Sequence, residues 1–362
     1  MTYKLLVGGY TSNGLRIVKF NPTTDTGSPI TFQESTIAAG SDPSWIVRHP
    51  EKRDLILAVN EVEDGRVLAV QLTHATDGET TGELLANVSS GGGYPAHLLV
   101  LEDALVSGNY AGGSIIHIPY ELQQQRVTLT DHKDEKKPGI HIQFSGTGPN
   151  ADRQESSHPH EVYRYGEELL IPDLGADKTW RLTKGESGWE IKGAIEYPAG
   201  AGPRHVLIHD GILYTVLELS NELALHKWAS LPESPSLITI TSTFASGKPA
   251  HPSMLAAEIL LSPNKQFIYI SNRNDPSSEG DTLAVYSVPS SNSEIALVRE
   301  IRTGVTHARG VNFSPDGKYL AVVGNHSGSI NIFEVVDGSP DGELKLVGGL
   351  QGLEKPTSVI WI

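Results

Sequence analysis

The chain repeats, and that repetition constrains its fold more than any other feature. One unit reads as a small or Pro residue, an alternating apolar run, a turn, a second alternating run ending on a polar residue, a Gly/Asn/Asp turn, and a third run. It recurs from Pro43 to Asn60, Pro95 to Asn109, Pro159 to Asp173, Pro203 to Glu218, Ala257 to Asn272 and Ala308 to Asn325. The interval within each unit is nearly constant while the connectors vary, as stacked supersecondary units require. Short period-2 runs bounded by turn signals such as Ser314-Pro315-Asp316-Gly317 are strands. No helical pattern extends beyond a few turns, and Glu121–Arg126 reads equally as a short helical piece or the end of an outer strand.

A seventh unit is split between the termini. Pro356–Ile362 matches a first strand, and Tyr3–Tyr10 followed by Leu15–Phe20 matches its continuation. Pairing the two ends in one sheet closes a ring and hides the free edges. The expectation is an all-β, seven-bladed β-propeller closed by the N- and C-terminal strands. It forms a single domain over residues 1–362 with a long inter-blade loop at about 131–157, a polar stretch after which the repeat resumes at Pro159. Long loops on rigid scaffolds often carry function.

Composition narrows the function. The 362 residues include 28 Lys plus Arg against 43 Asp plus Glu, a net charge of −15. That balance argues against nucleic-acid or anionic-membrane surfaces, which need basic patches. Cysteine is absent, which excludes disulfides, thiolate metal sites and a Cys nucleophile. No run resembles a signal peptide or a membrane span, so the expectation is a cytoplasmic protein. Asn87-Val88-Ser89 and Asn325-His326-Ser327 then read as chance glycosylation triplets.

In a propeller the inner strands line a central channel, so equivalent positions of distant repeats meet. At the start of the repeats stand Ser44, His97, His160, Arg204, Glu258, Arg309 and Thr357. At the second-strand ends stand Asn60/Glu61, Asn109/Tyr110, Asp173, Glu218, Asn272/Arg273 and Asn325. Asn and Asp before Gly are common turn formers, whereas Glu218 lies between Leu217 and Leu219 in a strand pattern, with no turn role. Arg204 and Arg273 at channel ends near an acid suit an anionic or oxyanion-forming substrate. His97, His160 and His205 are candidates that core packing would also explain, and His160 in His158-Pro159-His160-Glu161 follows the long loop. The catalytic candidates are therefore His160, Glu218, Arg204 and Arg273. The substrate-binding candidates are His97, Asn109, His158, Asp173, His205, Arg309 and Asn325. Gly91-Gly92-Gly93-Tyr94-Pro95 is no phosphate loop, and there is no Gly-x-Ser-x-Gly or His-Glu-x-x-His. His158-x-His160 alone is weak metal spacing, so neither metal nor cofactor is expected.

Gly146-Thr147-Gly148-Pro149-Asn150 through Arg153-Gln154 to His158-Pro159-His160, Pro172-Asp173-Leu174-Gly175, Gly202-Pro203-Arg204-His205 and Ser271-Asn272-Arg273 together resemble the seven-bladed propeller 6-phosphogluconolactonase family. Pro95-Ala96-His97 and Gly108-Asn109-Tyr110 fit as well, and the resemblance spans nearly the whole chain. The family resembles the fungal carboxy-cis,cis-muconate lactonizing enzymes. The resemblance implies a lactone-handling channel, with a catalytic-type histidine at His160, a carboxylate at Glu218 and substrate-anchoring arginines at Arg204 and Arg273. Two departures stand out: Tyr165-Gly166-Glu167 replaces the usual Pro-Asp-Gly turn, and Ala308 precedes Arg309.

Three functions follow as expectations. A lactone hydrolase would act on a sugar-type lactone, with Glu218 or His160 as base. A carboxy-cis,cis-muconate cyclase would use the same groups on a carboxylated substrate. A non-catalytic protein-binding propeller would leave the channel residues inconsequential. The expected partner is a small-molecule lactone or carboxylate, and oligomeric state is left open.

Overall fold

The computed structural model describes the chain outside residues 1, 12–13, 25–26, 77, 124–125, 131–138, 187, 248, 250 and 289–294. Among the described residues, the strands form seven antiparallel sheets arranged as consecutive blades, and no helix occurs. No helix is therefore long and apolar enough to cross a membrane. The inner strands are Pro356–Trp361, Pro43–Arg48, Pro95–Val100, Tyr163–Tyr165, Pro203–His209, Leu255–Leu261 and Ala308–Phe313. They fall where the repeats start. The terminal strands pair as expected, with Leu5 opposite Trp361, Leu6 opposite Ile360 and Val7 opposite Val359.

Burial explains the sequence pattern across each blade. Second strands such as Leu55–Asn60, Glu168–Asp173 and Tyr319–Gly324 are buried along their whole length, because neighbouring blades cover both faces. They accordingly read as nearly continuous apolar runs. Outer strands alternate, as Ala296–Arg302 does, because one face meets water. The core therefore lies between blades. Leu5, Val7 and Phe20 of the closing blade pack with Ala321, Val323 and Trp361, each fully buried aliphatic stabilising by roughly 1.5–3 kcal/mol.

Two local expectations resolve differently. Residues 124–125 lie outside the described residues, but Glu121–Gln123 end the strand Ser114–Gln123 and Arg126 opens the strand Arg126–Leu129 paired with it, so of the two readings the strand holds for the described part and the helix does not. The expected loop at about 131–157 is shorter than its sequence boundaries. Residues 131–138 lie outside the described residues, and Ile140–Gln143 is the outermost strand of its blade, paired with Ser114–His117. The stretch from Phe144 to Ser157 then runs to the mouth of the channel.

A repeated backbone irregularity positions the site. Near the start of each inner strand one extra residue interrupts the register. Ser44 falls between Pro43↔Asn60 and Trp45↔Val59, and Arg309 between Ala308↔Gly324 and Gly310↔Val323. Ala96 and Thr357 occupy the same place. The pair Arg204–His205 opposes one residue, as does Ala257–Glu258. In the remaining blade Pro159 pairs with Asp173 and Tyr163 with Leu170, leaving His160, Glu161 and Val162 opposite two residues. A bulge re-aims side chains out of the alternating pattern. Here the bulged positions are polar on strands whose neighbours are apolar, except in one blade, where Ala96 is the extra residue and His97 pairs regularly opposite Gly108.

Candidate active site

Glu218 is the hub of the site. Its side chain is fully buried, and its two oxygens engage three guanidinium groups. Arg204 Nη1 donates to Oε2 at 2.6 Å, Arg153 Nη2 donates to Oε1 at 2.8 Å, and Arg273 Nη2 lies 3.0 Å from the same oxygen. Burial alone would raise its pKa, but Arg273, Arg204 and Arg153 together hold the carboxyl well below the usual range. Burial lowers the Arg273 guanidinium to about 10 against the opposing pull of Glu218, so it stays charged at neutral pH. The Nε atoms of Arg204 and Arg273 are buried without a hydrogen-bond partner.

A chain of side chains runs beside this hub. His160 Nδ1 lies 3.2 Å from His205 Nε2, and His205 Nδ1 lies 3.1 Å from Glu258 Oε2. Burial and then the nearby Arg204 keep the His160 pKa well below the ordinary histidine value, so the ring is neutral at neutral pH. Glu258 stays ionised. Burial opposes this, but His205, Arg204 and Arg309 hold its pKa low. The Trp45 ring meets His97 at 4.5 Å and His205 at 5.7 Å between centroids. Glu161 accepts the Val206 amide at 2.7 Å and is raised by burial to about 7.

The third group centres on Arg309. It donates to Tyr10 Oη and, at 3.2 Å, to Glu61 Oε2, while Tyr10 Oη donates to Glu61 Oε1 at 2.9 Å. Burial, followed by the opposing pull of Arg309, leaves the Tyr10 phenol raised to about 12. The group faces the hub closely enough for Arg309 to act on the His160 and Arg273 pKa values.

The loop from Phe144 to Ser157 closes the mouth. Buried Gln154 anchors it, donating to Leu174 O at 2.9 Å and Asp177 Oδ1 at 2.7 Å. This delivers Arg153 to Glu218 and to Tyr110 Oη, 3.2 Å away. His158 stacks on the Tyr110 ring at 4.5 Å and 11°.

The structure thus brings His160, Arg204, His205, Glu218, Arg273 and Arg309 into one constellation, with His97 and His158 at its edges. The side-chain amides of Asn109 and Asn325 donate instead to backbone carbonyls, and the Asp173 carboxylate is taken up by its own turn and by Trp180. Asn109 Nδ2 donates to Ser90 O at 2.9 Å and Asn325 Nδ2 to Lys355 O at 2.9 Å, as Asn60 does to Ala39 O and Asn272 to Thr243 O. The recurring polar strand end is therefore a latch on the inter-blade crossover. Asp173 accepts the His158 amide at 2.6 Å and Trp180 Nε1 at 2.8 Å, which fixes the turn below His158.

Sequence reasoning placed Glu61 and Tyr110 at the strand ends without making them candidates, and did not make candidates of Arg153, Tyr10 or Glu161. Tyr110 and Glu61 follow the polar strand end directly, a signal that was available. Nothing local marks Arg153, whose place depends on how Gln154 docks. Two surface grooves of about 690 and 710 Å³, one at Glu51–Leu55 and one around Tyr269 and Lys318, are lined by none of these residues.

Fold and side-chain geometry together define a seven-bladed propeller whose blades bring a buried, charge-paired polar cluster together. A sequence profile described as "Lactonase, 7-bladed beta-propeller" matches residues 4–361, and the chain belongs to that family. The 6-phosphogluconolactonase of Bacillus subtilis is 25% identical over 338 residues, covering 91% of this chain and 90% of that protein. A relative from Arthroderma benhamiae is 28% identical over 236 residues, 61% of this chain, and the match spans little more than half of that protein, 57%. The crystal structure of a Bacteroides fragilis protein superposes over 100% of this chain and 98% of its own at 25% identity, with a TM-score of 0.82.

Proposed function

We propose that this protein hydrolyses a sugar-type lactone at the channel mouth. The observation that carries the reading is the buried His160 imidazole in one cluster with Arg204 and Arg273, whose Nε atoms have no hydrogen-bond partner. Lactone hydrolysis needs an activated water, a stabilised tetrahedral oxyanion and a protonated leaving alkoxide. In this reading His160 Nε2 takes the proton of the attacking water. Arg204 and Arg273 donate to the developing oxyanion and to any anionic substituent of the substrate. The imidazolium then returns the proton to the ring oxygen as the carbon–oxygen bond breaks.

The electrostatics favour His160 over Glu218 as the base. Three guanidiniums already occupy the Glu218 oxygens and hold its pKa well down, so the carboxylate is a poor proton acceptor. Its work is to keep buried arginines paired and aimed. The acidic chain repels a phosphorylated lactone at long range, but screening over about 8–10 Å leaves the local arginines in control.

The test is acid release from 6-phosphogluconolactone and from an unphosphorylated gluconolactone, followed by indicator absorbance. Arg273→Met is expected to lower kcat/KM by about 10²–10³-fold, the usual cost of losing one preorganised oxyanion donor. His160→Gln is expected to abolish the rate above spontaneous opening. The acid limb of the wild-type pH profile is expected below the ordinary histidine value of 6.5, because burial and Arg204 depress His160. Wild-type-like rates in both variants would overturn the reading. If the lactones stay intact while a carboxylated muconate loses its diene absorbance, cycloisomerisation by the same groups replaces hydrolysis. If neither substrate class reacts, a binding role remains.

A further inference from the structure

We infer that Glu258 and His205 are positioning residues that fix the tautomer of His160, leaving the Nε2 lone pair free to act as base. The inference rests on the lactonase reading for its kinetic consequence, but the tautomer is measurable without any substrate.

The argument is one of donor and acceptor accounting. An ionised carboxylate only accepts hydrogen bonds. With Glu258 ionised, the 3.1 Å contact requires the proton to sit on His205 Nδ1. In the proposed relay that proton is the only one on His205, so its Nε2 is bare and the 3.2 Å contact places the proton of His160 on Nδ1. His160 Nε2 is left as a lone pair, and among the described residues no recorded hydrogen bond consumes it. Each link is braced. The Glu258 amide donates to Ser271 Oγ at 3.1 Å. Trp45 packs edge-on against His205, and Tyr110 meets His160 edge-on at 5.5 Å. Glu258 comes from one blade, His205 from the next and His160 from a third. The relay therefore follows the circle of bulges around the channel and not the chain. Charged groups around it are Arg204, Arg309, Arg273 and Glu161.

The distinguishing variant is Glu258→Gln. An amide keeps the volume but can donate as well as accept, so it no longer dictates the His205 tautomer, and the His160 proton is expected to shift toward Nε2. A base in the wrong tautomer loses the contribution of general base catalysis, about 10²–10⁴-fold in kcat. KM is expected to stay within a few-fold, since no substrate-anchoring arginine changes. Glu258→Asp retains a carboxylate and is expected to recover most of the rate.

The decisive readout is nitrogen-15 NMR of the histidine-labelled full chain, with the His160 signals assigned by their absence in His160→Gln. The expected wild-type pattern is a protonated Nδ1 and an unprotonated Nε2 on His160, inverted in Glu258→Gln. A wild-type His160 protonated on Nε2, or a His205 imidazolium with both nitrogens protonated, would overturn the inference. So would a Glu258→Gln enzyme with unchanged kcat and an unchanged His160 pattern. These outcomes are separable from the broader reading. An active His160→Gln variant removes the catalytic reading, whereas an inactive His160→Gln beside a fully active Glu258→Gln removes only the relay.

Discussion

Arg204 Nη1 sits 2.6 Å from Glu218 Oε2, with both side chains buried and joined to Arg273 through the other carboxylate oxygen. This is a buried ion cluster whose members cannot be removed singly without leaving an unpaired charge. Glu218→Gln keeps the shape and strips the charge that balances the guanidiniums. The expected loss of stability is about 3–5 kcal/mol, measured as a shift in the urea midpoint. A carboxyl with a depressed folded pKa adds stability above its unfolded pKa and loses it as pH falls through the folded value. The gap between wild type and Glu218→Gln should therefore stay constant from neutral pH to about pH 5 and close only in stronger acid. A constant gap down to pH 2 would contradict the ion-cluster account.

Glu161 has the opposite sign. Burial raises it to about 7 in the folded state from an ordinary 4.5. Its protonated form suits the fold, so wild-type stability is expected to fall as pH rises from about 4.5 to about 7 and to level off above. The total drop is on the order of 3 kcal/mol. Glu161→Gln should flatten this slope, and parallel denaturation curves at pH 5 and pH 8 measure it. Equal slopes in the two proteins would mean that Glu161 titrates normally.

The turn under the mouth loop is tight. A Cβ on Gly175 would lie 1.7 Å from Ser156 O, a backbone atom that moves only with its loop. Gly175→Ala is expected to cost about 1–3 kcal/mol and to displace the segment carrying Arg153 and His158. Thermal unfolding and kcat/KM should both fall. A variant with native melting temperature and activity would show that the loop yields freely.

Ring closure makes its own demand. Pro356–Trp361 supplies the inner strand of a blade whose other strands come from the N-terminus. Deleting residues 356–362 exposes the edge of Tyr3–Gly9 and removes buried Val359, Ile360 and Trp361. Exposed edges recruit other chains, so size exclusion is expected to show aggregates and calorimetry no cooperative transition near the wild-type temperature. A monomeric truncation with a native melting curve would refute the closure role.

Some residues announced their place and others did not. The repeat from Pro43 to Asn325 made blade number, strand order and terminal pairing legible, because alternation and turn chemistry are local signals that recur. Glu218, Arg204, His160 and Arg273 were legible because aligned repeats single out charged positions among aliphatic neighbours. Arg153 was not, because its contact depends on Gln154 reaching Asp177 in another turn. The polar strand-end residues carried a real signal, but Asn109 and Asn325 spend it on inter-blade carbonyls. A one-dimensional pattern marks such a position as special without distinguishing latch from ligand.

Period and punctuation in the chain determined the blades, their count and the closing of the ring, since hydrophobic alternation dictates which faces must be covered. Only the tertiary structure decided that Glu258, His205 and His160 stand in a row within hydrogen-bond distance and that three arginines share one carboxylate. Hydrogen-bond direction and charge pairing depend on distances between side chains from different blades, and those distances exist only after the bulged inner strands meet around the channel.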